Sequence, residues 1–449
     1  MDVHSRFRRR SNSPIRKLRS QARANRSTRP DRIHELVGVG EAFFCRCAST
    51  CESISSSRNL YLTRKTLTLT DWLALAKTHE SDMFELIEQL VLIESPTSDK
   101  PANDHISSIA ADLLRTLGAE VKVHPQKDFG DHITADWPAT NPDSNAQHAL
   151  IVGHLDTVWP HGTLERMGFY EEDGRLYGPG VLDMKAGIAT TIIGLRTLKE
   201  NGLWPDRPIK ILFNTDEEVG SPSSSPLVEE SAKGAEYALI MEPGQAGAGA
   251  LKTQRKGLGE FHLSVEGKAS HAGAFPERGA SAIHELAHRI IELQAMNDWP
   301  NGITINTGLI TGGSARNTIP AAAEAVIDVR VRTNEQAEIL ETKIRALKPS
   351  IEGTSLTITG SFHRPPMERT PELAELAGNL IDWSNDFGFE LTEESTGGGS
   401  DANLTAAMGV PSADGLGSKG QNPHAEGENI EISEQVNRLA LFMKAINSL

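Results

Sequence analysis

"MKAGIATTIIGLRTLKENGLWPDRPIKILFN", residues 184–214, is the stretch on which the fold turns. Its first part, 184–202, spaces apolar residues as a helix does and ends at Gly202, the residue type that most readily closes one. "IKILFN" (209–214) follows as an apolar run of strand length. "HALIVG" (148–153) precedes the helix and "YALIM" (237–241) comes later, each a similar run. Strands that are apolar throughout, alternating with helices, predict an α/β fold: a mostly parallel sheet with helices on both faces. Further out, "AEVKVHP" and "DHITADW" add strands and residues 103–117 a helix. "TLTDWLALAKTHESDMFELIEQLVLIES", from residue 68, reads as one helical stretch with Thr70 as its N-cap.

Between residues 254 and 366 the pattern changes. "GEFHLSVEG" is a strand, "GASAIHELAHRIIELQAM" a helix, "GITINTGLITGG" and "AEAVIDVRVRT" strands, "NEQAEILETKIRALKP" a helix and "SLTITGSF" a strand. That order, βαββαβ, is the split arrangement of a ferredoxin-like sandwich. It predicts a small domain inserted into the larger one, with "HRPPME" (363–368) as the return hinge. The larger domain, begun at 68–253, resumes over 367–449 with a helix near 371–386, strand "FELTEES", a Gly-rich turn and a C-terminal helix. "SPSSSP" (221–226) reads as a polar loop without a signal of its own.

A chain of 449 residues is long enough for two folded units. Its net charge of −15 argues against nucleic acid or an anionic membrane as partner. The balance is uneven, because residues 1–32 hold eleven Arg and Lys against Asp2 and Asp31. Rich in Arg and Ser and poor in large apolar residues, that segment is expected to be disordered. Residues 1–67 thus read as a basic extension: a targeting segment, a nucleic-acid arm, or a dispensable or misassigned leader before a start at Met83. No long apolar run predicts a membrane span, and a soluble, cytoplasmic protein is the expectation. Cys45, Cys47 and Cys51 match no zinc-site spacing and are read as incidental.

Acids and histidines recur just beyond the strands. After "HALIVG" come His154 and Asp156, after "IKILFN" come Glu217 and Glu218, and after "YALIM" comes Glu242; Asp183 precedes the helix. Ligands of an open α/β sheet bind outside the carboxyl ends of its strands, so these side chains are expected to converge. So many carboxylates in one crevice would repel each other unless cations neutralise them, and imidazole with carboxylate suits catalytic zinc. Singly, each has a plainer reading: His154 as a structural histidine, Asp183 as a helix cap, His424 as an exposed loop residue. Only their joint placement favours a metal centre.

"GHLDTV" (153–158), "GPGVLDMKAG" (178–187), "FNTDEEVGS" (213–221), "MEPG" (241–244), "GKASHAG" (267–273), "GGGSDA" (397–402) and "PHAEGE" (423–428) stand in order along the chain. Together they resemble the co-catalytic zinc peptidase family of glutamate carboxypeptidase, aminoacylase and succinyl-diaminopimelate desuccinylase, above all its glutamate carboxypeptidase branch. The resemblance covers residues 68–449. It implies two Zn2+ per subunit, with Co2+ or Mn2+ as substitutes. Asp183 would bridge them, His154 and Glu242 completing one site and Glu218 and His424 the other. It further implies Glu217 as general base, Asp156 as the residue that orients His154, and a cis peptide between Asp183 and Met184. His271 of "GKASHAG" resembles a histidine that reaches a neighbouring subunit's cleft, which implies a homodimer built through the inserted domain; a turn histidine is the alternative. Arg330, on the polar face of "VIDVRVR" with Arg332, is expected to clamp a substrate carboxylate. Asn317 of "ARNTIP" resembles a pocket asparagine and equally suits a turn. Asp216 is expected to be supporting or solvated, and "TGGGSDAN" either to offer helix amides to a carboxylate or to form a structural turn.

The reading is a metal-dependent hydrolase of a peptide or N-acyl bond next to a C-terminal amino acid, acidic ones included. An N-acyl-amino-acid deacylase or dipeptidase would use the same centre, and pocket shape decides between them. An inactive dimeric scaffold is disfavoured by the intact ligand set. "GPG" and "GGGSD" match no nucleotide-binding loop.

Overall fold

The computed structural model describes residues 68–141 and 144–449. The basic extension and its three cysteines lie outside the described residues, so the expectations about them stay as they were.

An eight-stranded sheet forms the larger part. Its strands run, edge to edge, Glu120–His124, His132–Trp137, Ile209–Asn214, His148–His154, Ala235–Ile240, Ser412–Asp414, Leu251–Arg255 and Glu393–Thr396. The four from Ile209–Asn214 to Ser412–Asp414 are mutually parallel. The first two strands, and the contact of Leu251–Arg255 with Ser412–Asp414, are antiparallel. Central strands are buried almost throughout, which is why they read as unbroken apolar runs rather than alternating ones. Helices Leu69–Thr78, Glu80–Val91, Ala186–Glu200, Pro371–Phe387 and Ile432–Ser448 pack together, while Ser225–Ala232 and Asp401–Ala407 form a second group. The sheet is thus mostly parallel and covered by helices, as expected from the sequence.

The second sheet is antiparallel, ordered Thr304–Gly312, Ala322–Val331, Gly257–Glu266, Ser355–Arg364. Helices Ala282–Gln294 and Asn334–Arg345 pack on one face over Phe261, Leu263, Leu286, Ile327, Val329 and Ile344. This is the ferredoxin-like βαββαβ unit. Alternate residues of Ala322–Val331 are buried, and Arg330 falls on the opposite face.

Several local expectations need correcting. The first long helical stretch breaks at His79 into Leu69–Thr78 and Glu80–Val91, and Thr70 lies inside the first helix instead of capping it. Trp72 and Ala76 of that first helix are buried, so the packed fold begins upstream of Met83. The helix expected from 103 starts at Lys100, because Asp99 accepts the Ala102 amide and Pro101 suits the first turn. "FELTEES" pairs with its neighbour only over Glu393–Thr396, Phe389 and Leu391 being core residues ahead of the ladder. Among the described residues no helix is long and apolar enough to cross a membrane.

Candidate metal centre

The parallel strands bring the acids and histidines together. His154 closes its strand directly opposite Asn214, and the Met241 amide bonds to the Val152 carbonyl, so Glu217, Glu218 and Glu242 leave the sheet at the same edge as His154. Asp183 arrives from the turn before helix Ala186–Glu200. A Cβ on Gly187 would sit 2.2 Å from the Met241 carbonyl oxygen, so only glycine lets that helix start come so close to the strand end bearing Glu242. The peptide between Asp183 and Met184 is cis. His424 is supplied by a loop near the C-terminus, with a left-handed backbone (φ 59°).

Asp183 lies between two imidazoles. Its Oδ1 is 3.2 Å from His154 Nε2 and its Oδ2 is 3.1 Å from His424 Nε2. Glu242 Oε1 stands 3.4 Å from the same nitrogen of His154, and Glu218 Oε2 stands 3.0 Å from that of His424. The five side chains therefore divide into two groups sharing Asp183: His154, Asp183, Glu242 and Asp183, Glu218, His424. His154 Nδ1 is 3.0 Å from the Asp156 carbonyl oxygen. A carbonyl can only accept, so Nδ1 carries a proton and Nε2 faces the cluster.

Asp156 meets His154 chiefly through its backbone. Its carboxylate is 3.5 Å from His154 Nδ1, farther than its own carbonyl. Oδ2 accepts instead from the Thr97 hydroxyl (2.7 Å) and the Glu218 amide (3.3 Å). Asp156 thus ties two ligand-bearing segments together as well as orienting the ring.

The electrostatics favour positive charge here. Burial opposes a charged His154, yet Asp156, Asp183 and Glu242 outweigh it and hold its pKa well above the usual imidazole range. Asp183 and Glu218 push His424 up to about 11 through their hydrogen bonds to it. Glu218 rises to about 7 through burial and the nearby Asp183. Burial, then Glu242, hold Glu217 well above the carboxylate range. Among the described residues, buried Glu218 Oε1 and Asp156 Oδ1 have no hydrogen-bond partner. Histidine nitrogen and carboxylate oxygen in two groups about one shared aspartate fit divalent cations of the zinc type.

Around the cluster stand residues that the sequence reading passed over. Arg364, in the segment read as a hinge, is buried, with Nη1 3.3 Å from Glu217 Oε1 and Nη2 2.9 Å from Ser221 Oγ. Arg255 donates to Asp414 (2.5 Å) and to the Gly398 and Gly399 carbonyls (both 3.0 Å). Asp216 is fully buried, not solvated: its carboxylate accepts from the amides and hydroxyls of Ser223 and Ser224. "SPSSSP" is accordingly an anchored turn leading into helix Ser225–Ala232, and Asp216 is the signal that was missed.

The remaining expected residues do not join the cluster. Arg330 donates to Asp328 and to the Gly397 carbonyl (2.8 Å), linking the small sheet to the glycine turn. Ser400 caps Asp401–Ala407 with a full capping box, so its oxygen already takes the Ala402 amide, which favours the structural reading of that turn. His271 and Asn317 lie side by side on the small unit, where the Ala272 amide bonds to the Asn317 carbonyl (2.9 Å). Both are exposed.

Comparison with known proteins bears on the fold and the family. Carboxypeptidase G2 of Pseudomonas sp. (strain RS-16) is 31% identical over 380 residues, covering 83% of this chain and 91% of that protein. Succinyl-diaminopimelate desuccinylase of Xanthomonas campestris pv. campestris is 27% identical, covering 82% and 99%. Among solved structures, aminopeptidase PepT of Bacillus cereus superimposes with a TM-score of 0.67 at 22% identity, covering 82% of this chain and 98% of that one. An M20 family metallo-carboxypeptidase of Sulfolobus solfataricus gives 0.64 at 17%, covering 82% and 99%. The model of peptidase family M20/M25/M40 matches residues 150–448. The chain belongs to peptidase family M20/M25/M40 and is a metal-dependent amide hydrolase.

Proposed function

We propose that the chain is a dinuclear zinc carboxypeptidase that hydrolyses the peptide or N-acyl bond before a C-terminal amino acid, glutamate being the first to test. The observation that carries this reading is Asp183, whose two oxygens face different histidines and so divide five ligands into two groups. His154 and Glu242 would hold one ion, Glu218 and His424 the other, with Asp183 shared. Bound there, the ions would polarise the amide carbonyl and acidify a water. Glu217 takes the water's proton and returns it to the leaving amine. Burial, then Glu242, raise its pKa, which suits a group that must take up a proton. Arg364, on one oxygen of Glu217, orients that carboxylate.

A screen of N-acyl amino acids and dipeptides with zinc supplied tests the function. Release of glutamate from N-acyl-glutamates supports the carboxypeptidase reading. Preferential release of acetate or succinate from acylated amino acids would favour the deacylase alternative. Metal content is the independent check: chelation is expected to abolish turnover and lower the melting temperature, because an ion at about 100 times its Kd stabilises the folded chain by about 2.7 kcal/mol. Identical melting with and without chelator would remove the metal from the reading.

The exposed Leu309 and Ile310 of the edge strand, with Ile283 and Ile291 of the adjacent helix, support a homodimer through the small unit. In that dimer His271 and Asn317, exposed and outside both ligand groups, would complete the partner's cleft, with His271 stabilising the oxyanion. Arg330 is retained as a carboxylate contact beside the glycine turn. Dilution to monomer is expected to lose activity in parallel with the dimer; a fully active monomer would exclude this role for His271.

A further inference from the structure

Glu428 ends the loop that begins at His424 and is completely buried. Its two oxygens accept four hydrogen bonds, all from other segments. Oε1 takes the amides of Leu182 (2.8 Å) and Asp183 (3.0 Å). Oε2 takes the Gly180 amide (2.9 Å) and the Trp159 indole N–H (2.6 Å). The backbone at Asp183 and Met184 is not helical, so these turn amides lie outside a regular helix ladder, and the carboxylate provides their partner. Trp159 belongs to the segment that follows His154. One side chain therefore fastens three ligand-bearing stretches: those of His154, Asp183 and His424.

The fastening is needed because His424 is weakly held. Its imidazole is about half exposed, and its side-chain partners among the described residues are Asp183 and Glu218, themselves members of the cluster. Asp183 must present one oxygen to each histidine, so a small displacement of its backbone relative to residue 424 would separate the two groups.

We propose that Glu428 is the positioning residue of the metal centre, holding the backbone of Asp183 in register with the His424 loop so that both cation sites form together. This rests on the reading of the cluster as a metal centre. Groups that orient ligands without touching the ion typically change metal affinity 10- to 100-fold when removed.

Glu428→Gln keeps the shape but places an NH2 donor against N–H donors on one side, so it cannot serve all four. Metal-free full-length wild type, E428Q, W159F and the ligand variant E218Q would be titrated with Zn2+ against a chromophoric chelator, and with Co2+ by visible absorption. For E428Q we expect affinity about 10- to 100-fold weaker, a shifted Co2+ spectrum and turnover restored by excess Zn2+. W159F, losing one donor of four, should weaken binding less than E428Q. A role in overall stability alone would move neither the Co2+ spectrum nor the Zn2+ dependence of turnover. Wild-type affinity with an unchanged Co2+ spectrum in E428Q, where E218Q has lost metal, would overturn the proposal and leave the metal centre standing. A wild-type chain that takes up no metal would overturn both. Circular dichroism establishes that E428Q is folded, and the Zn2+ dependence of W159F provides a second measure should E428Q not fold.

Discussion

Glu217→Gln is expected to lower turnover by about 10²- to 10⁴-fold while both metal equivalents stay bound. The two adjacent glutamates separate in space after strand Ile209–Asn214. Glu218 lies against His424, whereas Glu217 lies against Arg364 and belongs to neither candidate ligand group. Gln preserves volume and can still accept from Arg364, so the fold and the ligands should be undisturbed. What it cannot do is take a proton. The measurement is paired: steady-state turnover on the best substrate from the screen, and metal content of the same preparation. Turnover within a few fold of wild type would exclude Glu217 as the general base. Loss of a metal equivalent would instead make it a ligand and would require a different division of the cluster. The neighbouring variant E218Q is the contrast, since it should lose metal first and activity as a consequence.

How much of this was legible before any coordinates follows from the range of each interaction. "HALIVG", "IKILFN" and "YALIM" are buried on both faces, so their composition alone marks them as central strands, and their ends locate His154, Glu217, Glu218 and Glu242. The small unit was legible for the opposite reason: the alternating burial of Gly257–Glu266 and Ala322–Val331 writes itself into the sequence. Ser412–Asp414, three residues long, has no such pattern, although it extends the parallel core. Arg364 beside two prolines looks like a hinge residue, because its partners Glu217 and Ser221 are more than 140 positions away. Glu428 sits in a motif already singled out for His424, yet three of its partners are backbone amides, which carry no residue-type signal, and the fourth, Trp159, is more than 260 positions away. Asp216 could be read as supporting or solvated, because the serines that bury it and decide for the supporting role carry no pattern of their own.

Asp183→Asn should have an effect at least as large, and of a different kind. The wild-type carboxylate offers equivalent oxygens on its two sides, one 3.2 Å from His154 and the other 3.1 Å from His424. Its pKa is held below the usual carboxylate range; burial alone would raise it, and the two imidazoles more than reverse that. The charge is therefore kept where two cations would share it. An amide has one acceptor oxygen and one NH2, is uncharged, and cannot bridge. Whichever way it turns, one group keeps an oxygen and the other meets an N–H donor. We expect the purified variant to fall from two metal equivalents to one or fewer, and turnover to fall by more than the 10- to 100-fold typical of lost orienting contacts. The Asp183 amide still donates to Glu428 whatever the side chain, so the turn should survive, and the circular dichroism of the metal-free variant should match that of wild type. That separates a missing bridge from a collapsed loop. Two tightly held equivalents in D183N would show that the ions do not share this residue. A single equivalent in wild type with full activity would show that only one group of the pair is used, and the choice between them would pass to a comparison of Glu242→Gln with Glu218→Gln.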